Sequence, residues 1–93
     1  MASDMSDWTV YMLRCSDNSL YTGITTDIER RIREHNGSGR GARYTRGRQP
    51  VSLAWMESVA SRSEACRREH QVRNLNRLKK QALMADFNAT INT

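Results

Sequence analysis

Two short stretches near the N-terminus are rich in aromatic and β-branched residues. Trp8 to Cys15 reads W-T-V-Y-M-L-R-C, and Leu20 to Ile24 reads L-Y-T-G-I. Between them lies Ser16-Asp17-Asn18, whose residue types favour a turn, so the pair predicts a β-hairpin. Loop length then decides which side chains share a face. A two-residue loop would put Tyr11 and Tyr21 on opposite faces. A three-residue loop with Asn18 in the left-handed conformation sets Tyr11 opposite Gly23 and Tyr21 opposite Leu13, all on one face. We expect the three-residue loop, which makes the tyrosines diagonal neighbours and leaves space beside Tyr11 where Gly23 has no side chain.

The pattern then becomes helical. Thr26-Asp27-Ile28-Glu29 has the form of a capping box, opening a helix to about His35 or Asn36 with Ile28 and Ile32 towards the core. Arg31 and His35 form an adjoining stripe about 60° round that helix. Residues 37–49 are rich in Gly and Arg and read as a flexible basic loop with room for one short helical turn. Val51 to Ala60, after Pro50, reads as a third strand. Ser61-Arg62-Ser63-Glu64 is a second capping box, starting a long helix to about Leu75, and a further helix is expected over Lys79 to Phe87. The order β-β-α-β-α-α predicts an α/β (α+β) fold with one small, mainly antiparallel three-stranded sheet flanked by helices. A single domain over 8–88 is expected, with loose ends at 1–7 and 89–93.

Composition narrows the class. The 93 residues suit one modest core, and 38% hydrophobic residues with a single Pro exclude a disordered chain. Fifteen Lys and Arg against ten Asp and Glu give a net charge of +5, which suits a polyanionic partner such as nucleic acid. Cys15 and Cys66 have no metal-like spacing and no apolar leader precedes them, so a reduced, cytoplasmic chain is the natural reading. Cys66 is expected to be a small half-buried residue rather than a reactive thiol. No stretch is long enough to span a bilayer, and no membrane partner is expected.

Candidate chemistry gathers at five positions. Ala65, Glu69, Val72 and Asn76 share a stripe, so Glu69 falls on a core-facing side where a carboxylate needs an ion pair, a hydrogen bond or a cation. Both a salt bridge to one of the many arginines and a divalent cation fit. Arg31 offers a planar fork for phosphate, and His35 a neutral imidazole that can take or relay a proton. Tyr11 and Tyr21 could equally be packing residues, and a phenol with a pKa near 10 needs positive charge nearby to act as a base. Together, Tyr11, Tyr21, Arg31, His35 and Glu69 hold the groups that metal-assisted phosphodiester cleavage requires.

The strings T-V-Y (Thr9 to Tyr11), Y-T-G (Tyr21 to Gly23), then Arg31, His35 and Glu69, resemble the GIY-YIG endonuclease domain, most closely the UPF0213 subgroup, over residues 8–80. The resemblance implies Mg²⁺- or Mn²⁺-dependent hydrolysis of DNA phosphodiesters, in repair, recombination or other nucleic-acid processing. It assigns Tyr11 as general base, Tyr21 to the phosphate or water, Arg31 to the phosphate, Gly23 as the motif glycine and Glu69 to the metal, and matches His35 to the motif histidine, which we expect to help hold the attacking water. Thr9 and Val10 replace the motif's Gly and Ile, and Thr9 is expected to tighten the approach to the phosphate. Asn74 and Asn76 lie too close to Glu69 for the asparagine that several relatives carry, and are left outside the site.

Arg40, Arg43, Arg46 and Arg48, interleaved with glycines and Tyr44, are expected to track phosphates beside the site. Arg67, Arg68, Arg73, Arg77, Lys79 and Lys80 offer a second basic surface, or simply a solvated one. The partner is then DNA, branched or single-stranded, with RNA and a targeting protein also open. The alternative is a nuclease-like module that grips nucleic acid without cutting it. A protein-docking surface of Met12, Trp55 and Met56 is the third reading, although these residues are expected to fill the core.

Overall fold

Asn18 has φ of 70°, the left-handed backbone that closes a three-residue loop. In a computed structural model, which describes residues 7–37 and 40–91, that loop joins β1 (Trp8–Arg14) to β2 (Leu20–Thr25). The register is the expected one, Tyr11 opposite Gly23 and Leu13 opposite Tyr21. β3 (Ser52–Val59) pairs with the other edge of β1, so the sheet order is β2-β1-β3 and every pairing is antiparallel. One extra residue of β3 is accommodated between the Met12–Trp55 and Leu13–Leu53 pairs, a bulge that sharpens the local twist.

Successive side chains of β1 supply two different layers. Val10 and Met12 pack with Trp55, Ala65, Val72 and Met84, beneath α3 (Arg62–Arg73) and α4 (Arg77–Ile91). Tyr11, Leu13 and Cys15 pack with Val51, Tyr21, Ile28 and Ile32, beneath α1 (Ile28–Asn36). The single turn α2 (Arg43–Arg46) follows α1, as the Gly- and Arg-rich stretch allowed. The order is therefore β-β-α-β-α-α once that turn is set aside.

Several expectations change in detail. The cap of α1 is Asp27 rather than Thr26: its carboxylate accepts from the Arg30 N–H at 3.1 Å, while Thr25 holds the Asp27 N–H at 3.1 Å. Ser61 caps α3 as expected. That helix ends at Arg73, because Asn74 closes it with a bond to the His70 carbonyl and Asn76 then caps α4 through the Lys79 N–H. Asn76 thus leaves the Glu69 stripe. α4 begins at Arg77 and reaches Ile91, longer at both ends than Lys79 to Phe87. Met12 and Trp55 are core residues, but Met56 is 40% exposed, since neighbouring strand residues point to opposite sides of the sheet. Cys66 is exposed, not half-buried, while Cys15 is buried. Residues 1–6, 38–39 and 92–93, parts of the expected loose ends and basic loop, lie outside the described residues. Among the described residues no helix is long and apolar enough to cross a membrane.

Candidate active site

Gly23 is where the site begins. A Cβ there would lie 2.5 Å from the Tyr11 hydroxyl oxygen, so only glycine lets the Tyr11 ring cross its neighbouring strand. The hydroxyl then sits 2.9 Å from His35 Nε2. Tyr21 leans on both rings, with centroids 6.3 Å from Tyr11 and 5.1 Å from His35. The three-residue hairpin loop therefore brings Tyr11 and Tyr21 together against α1.

His35 is wholly buried. It was expected to help hold a water; instead it stands behind Tyr11, out of reach of the cleft. Its Nδ1 lies 2.8 Å from Thr45 Oγ1, and the Thr45 hydroxyl donates to the Ala42 carbonyl at 3.0 Å. Assigning that hydroxyl's one proton to the Ala42 carbonyl places the imidazole proton on Nδ1, which then donates to Thr45. The Ala42 N–H approaches Nδ1 at 3.4 Å, too long to compete with the 2.8 Å contact. Nε2 is then the acceptor, and the Tyr11 hydroxyl donates to it.

Burial, reinforced by the Arg31 charge, lowers the His35 pKa to about 4, so the ring is neutral near pH 7. Burial also pushes the Tyr11 phenol up to about 12, although the neighbouring Arg31 guanidinium pulls the other way. Tyr11 is thus a protonated phenol at rest, with its proton aimed at His35.

Arg31 is fixed in place. Its Nη1 donates to Glu34 Oε1 and to the Arg40 carbonyl, both at 2.9 Å. Arg40 therefore contributes its backbone here. Gly41 permits this approach, since a Cβ on it would be 2.8 Å from the His35 Cα.

Glu69 comes from the opposite layer, on α3. A cleft of about 270 Å³ is lined by Tyr11, Tyr21, Thr22, Gly23, Ile24, Arg31, Glu69 and Arg73, residues from both sides of the edge strand β2. Four of the five expected residues meet there, and His35 supports from behind. Glu69 Oε2 is 3.1 Å from Arg73 Nη1, so the ion-pair reading of this carboxylate is realised. Yet no N–H is aligned on Oε2, which is buried without a hydrogen-bond partner. A carboxylate that lines a polar cleft and has one oxygen without a hydrogen bond fits a hard divalent cation. Among the described residues no group of three His, Cys, Asp or Glu side chains could enclose a metal. A cation here would rely on Glu69, water and substrate phosphate.

The surrounding expectations divide. Thr9 does not line the cleft and so does not tighten it. Asn74 and Asn76 cap helices and lie outside it. Arg43, Tyr44 and Arg46 are exposed, but Arg48 is committed: it pairs with Asp17 at 3.0 Å and stacks on Tyr44 at 4.1 Å. On the second basic surface Arg68 pairs with Glu57 and Arg77 reaches the Asn18 carbonyl. Three residues that shape the site, Thr45, Glu34 and Arg73, were not singled out for it from the sequence. Glu34 and Arg73 each carried a signal, lying three and four positions from a site residue on the same helix. Thr45 carried none.

Residues 7–82 match the GIY-YIG catalytic domain. The chain belongs to the GIY-YIG family. Within that family it is similar to UPF0213 proteins. It is 58% identical to UPF0213 protein HQ_3675A of Haloquadratum walsbyi, over 80% of this chain and 82% of that one. It is 45% identical to UPF0213 protein YhbQ of Escherichia coli O127:H6, over 88% and 81%. The solution structure of UPF0213 protein BH0048 from Bacillus halodurans superposes with a TM-score of 0.54 at 48% identity, covering 85% of this chain and 83% of that one. GIY-YIG domains form a nuclease-type family, in keeping with a cleft that joins phenol, guanidinium and carboxylate.

Proposed function

We propose that the protein is a metal-dependent endonuclease that hydrolyses DNA phosphodiester bonds. The observation that carries this reading is the cleft at β2, which Tyr11, Arg31 and Glu69 line together, the Glu69 Oε2 lacking a hydrogen-bond partner. In this reading a scissile phosphate rests on Arg31, whose fork is held in orientation by Glu34 and the Arg40 carbonyl. Bound at Glu69, Mg²⁺ or Mn²⁺ would supply charge neutralisation at the phosphate oxygens.

Tyr11 acts as base without being a phenolate. Its oxygen accepts a proton from the attacking water as its own proton passes to His35 Nε2, and Thr45 accepts from the opposite ring nitrogen throughout. In this relay no free phenolate has to exist; the cost is moved to a transient imidazolium at His35, which burial and Arg31 also disfavour. Water oxygen joins phosphorus, the bond to the strand oxygen breaks and that oxygen takes a proton from solvent, while the proton held on His35 passes back to Tyr11 and the extra proton on Tyr11 leaves to solvent. Tyr21 supports the Tyr11 ring and borders the phosphate. Arg40, Arg43, Arg46 and Tyr44 extend contact along the strand, and the biological setting is repair, recombination or nucleic-acid processing in the cytoplasm.

One observation favours the second reading, a non-cleaving nucleic-acid-binding module: Arg73 already neutralises Glu69. Labelled single-stranded, duplex, flap and forked DNA, incubated with Mg²⁺, Mn²⁺ or EDTA, separates the two. Cleavage is expected with either metal and not with EDTA. Glu69→Gln is expected to lower it by about a thousand-fold while the protein stays folded. Salt-sensitive binding with no products from any substrate would leave the binding module standing.

A further inference from the structure

A second hollow, about 310 Å³, adjoins the first. It shares Tyr21, Thr22 and Arg73 with the Glu69 cleft and adds Leu20, Tyr44 and Lys80. Its chemistry is different. Leu20, Tyr21 and Tyr44 make an apolar and aromatic wall, two cations face it, and no carboxylate lines it. The wall is braced in advance. Tyr44 stacks on Tyr21 with centroids 5.9 Å apart, and Arg48 lies on the Tyr44 ring, donates to the Tyr44 carbonyl at 2.8 Å and is anchored by Asp17. Lys80 is half-buried, and among the described residues it makes no ion pair.

We infer that this hollow is a nucleotide subsite: it takes one unstacked nucleotide of the strand whose neighbouring phosphate lies at Arg31 and Glu69. The base sits against Leu20 and the Tyr44 edge, and its phosphate lies between Lys80 and Arg73. A duplex held through its phosphates uses cations alone and gains nothing from an aromatic wall. An unpaired base gains from both, because every base has an apolar face and a phosphate beside it. Arg73 links the two spaces, with Glu69 beside it in one and the phosphate in the other. The location of the next phosphate rests on the nuclease reading; occupancy of the hollow does not.

The test therefore measures binding without cleavage. Fluorescence anisotropy of the full chain in EDTA compares a labelled oligodeoxythymidine with a blunt duplex of equal length. Tyr44→Ala is expected to weaken single-strand binding by about ten-fold or more. Lys80→Gln should weaken it by a few-fold, and Tyr44→Trp should restore it. Duplex affinity should move by less than about two-fold in the two Tyr44 variants, since it does not use the wall. Equal losses on both DNAs would reduce the hollow to a general phosphate contact, and no loss on either would leave it without a ligand; each result overturns the inference. Circular dichroism checks folding, and Leu20→Ala, which trims the same wall and leaves both cations, decides the matter by the same single-strand and duplex comparison if Tyr44→Ala does not fold. Selective single-strand binding with no cleavage under Mg²⁺ would sink the nuclease reading and leave the subsite in place.

Discussion

The two sides of β1 differ by one residue in sequence and by almost everything in physical character. On one side Val10 and Met12 meet Trp55, Ala65, Val72 and Met84, a wholly apolar layer. On the other, Tyr11 is buried as deeply, yet its hydroxyl leads into His35 and Thr45, a polar chain inside a hydrophobic cluster. The first layer gains stability from removing hydrocarbon from water. The second gives part of that gain away, since burying phenol, imidazole and hydroxyl is tolerable only while each keeps its partner. The alternation of a strand thus lets a 93-residue chain keep a structural face and a chemical face one residue apart.

The strongest way to break this contrast is Met12→Ala. The side chain is fully buried in the apolar layer, and its loss should cost about 2–5 kcal/mol, read as a lower denaturation midpoint. Cleavage per folded molecule should hardly change, because Met12 does not line the cleft. Thr45→Val tests the other face. It leaves His35 Nδ1–H without an acceptor and should cost about 1–3 kcal/mol. Unlike Met12→Ala, it should also slow cleavage at a pH where the variant is fully folded. Equal activity in the two variants would remove the relay from the mechanism.

The smallest expected effect is on pH dependence. The unfolded chain protonates His35 below about pH 6.5, whereas the folded protein resists until about 4. The folded pKa is the lower one, so this contribution is complete above 6.5 and is lost as pH falls towards 4, by about 1–2 kcal/mol at pH 5. Cleavage per folded molecule should hold until the pH nears 4, where the folded imidazole itself takes a proton and can no longer accept the one from Tyr11. Denaturation midpoints at pH 7 and 5 for wild type and His35→Gln check it. A slope unchanged in the variant would place the titrating group elsewhere.

How much of this was legible in the sequence depended on the range of the interaction. The hairpin loop is local, and Ser16-Asp17-Asn18 with one left-handed residue set the register that pairs Tyr11 with Gly23. The first helix cap was also local but ambiguous, because Thr26 and Asp27 can each cap, and Thr25 favoured Asp27 by bonding its backbone. The depth of His35 was not legible. It follows from Gly41 lying against α1 and from Thr45 arriving ten residues later, contacts that helical periodicity does not encode. The choice of partner was equally hidden: Glu69 needed a positive charge, and Arg73 was one arginine among many.

Four of the five principal site residues, Tyr11, Tyr21, Arg31 and His35, lie within 25 consecutive positions, while Glu69 waits on a helix that docks from the other layer. Synthesis proceeds from the N-terminus, so Arg31 and the tyrosines emerge well before the carboxylate that would complete the cleft. If the proposed nuclease reading holds, a nascent or half-folded chain would lack the means to cut, and the assembly of the last layer would double as a safety catch.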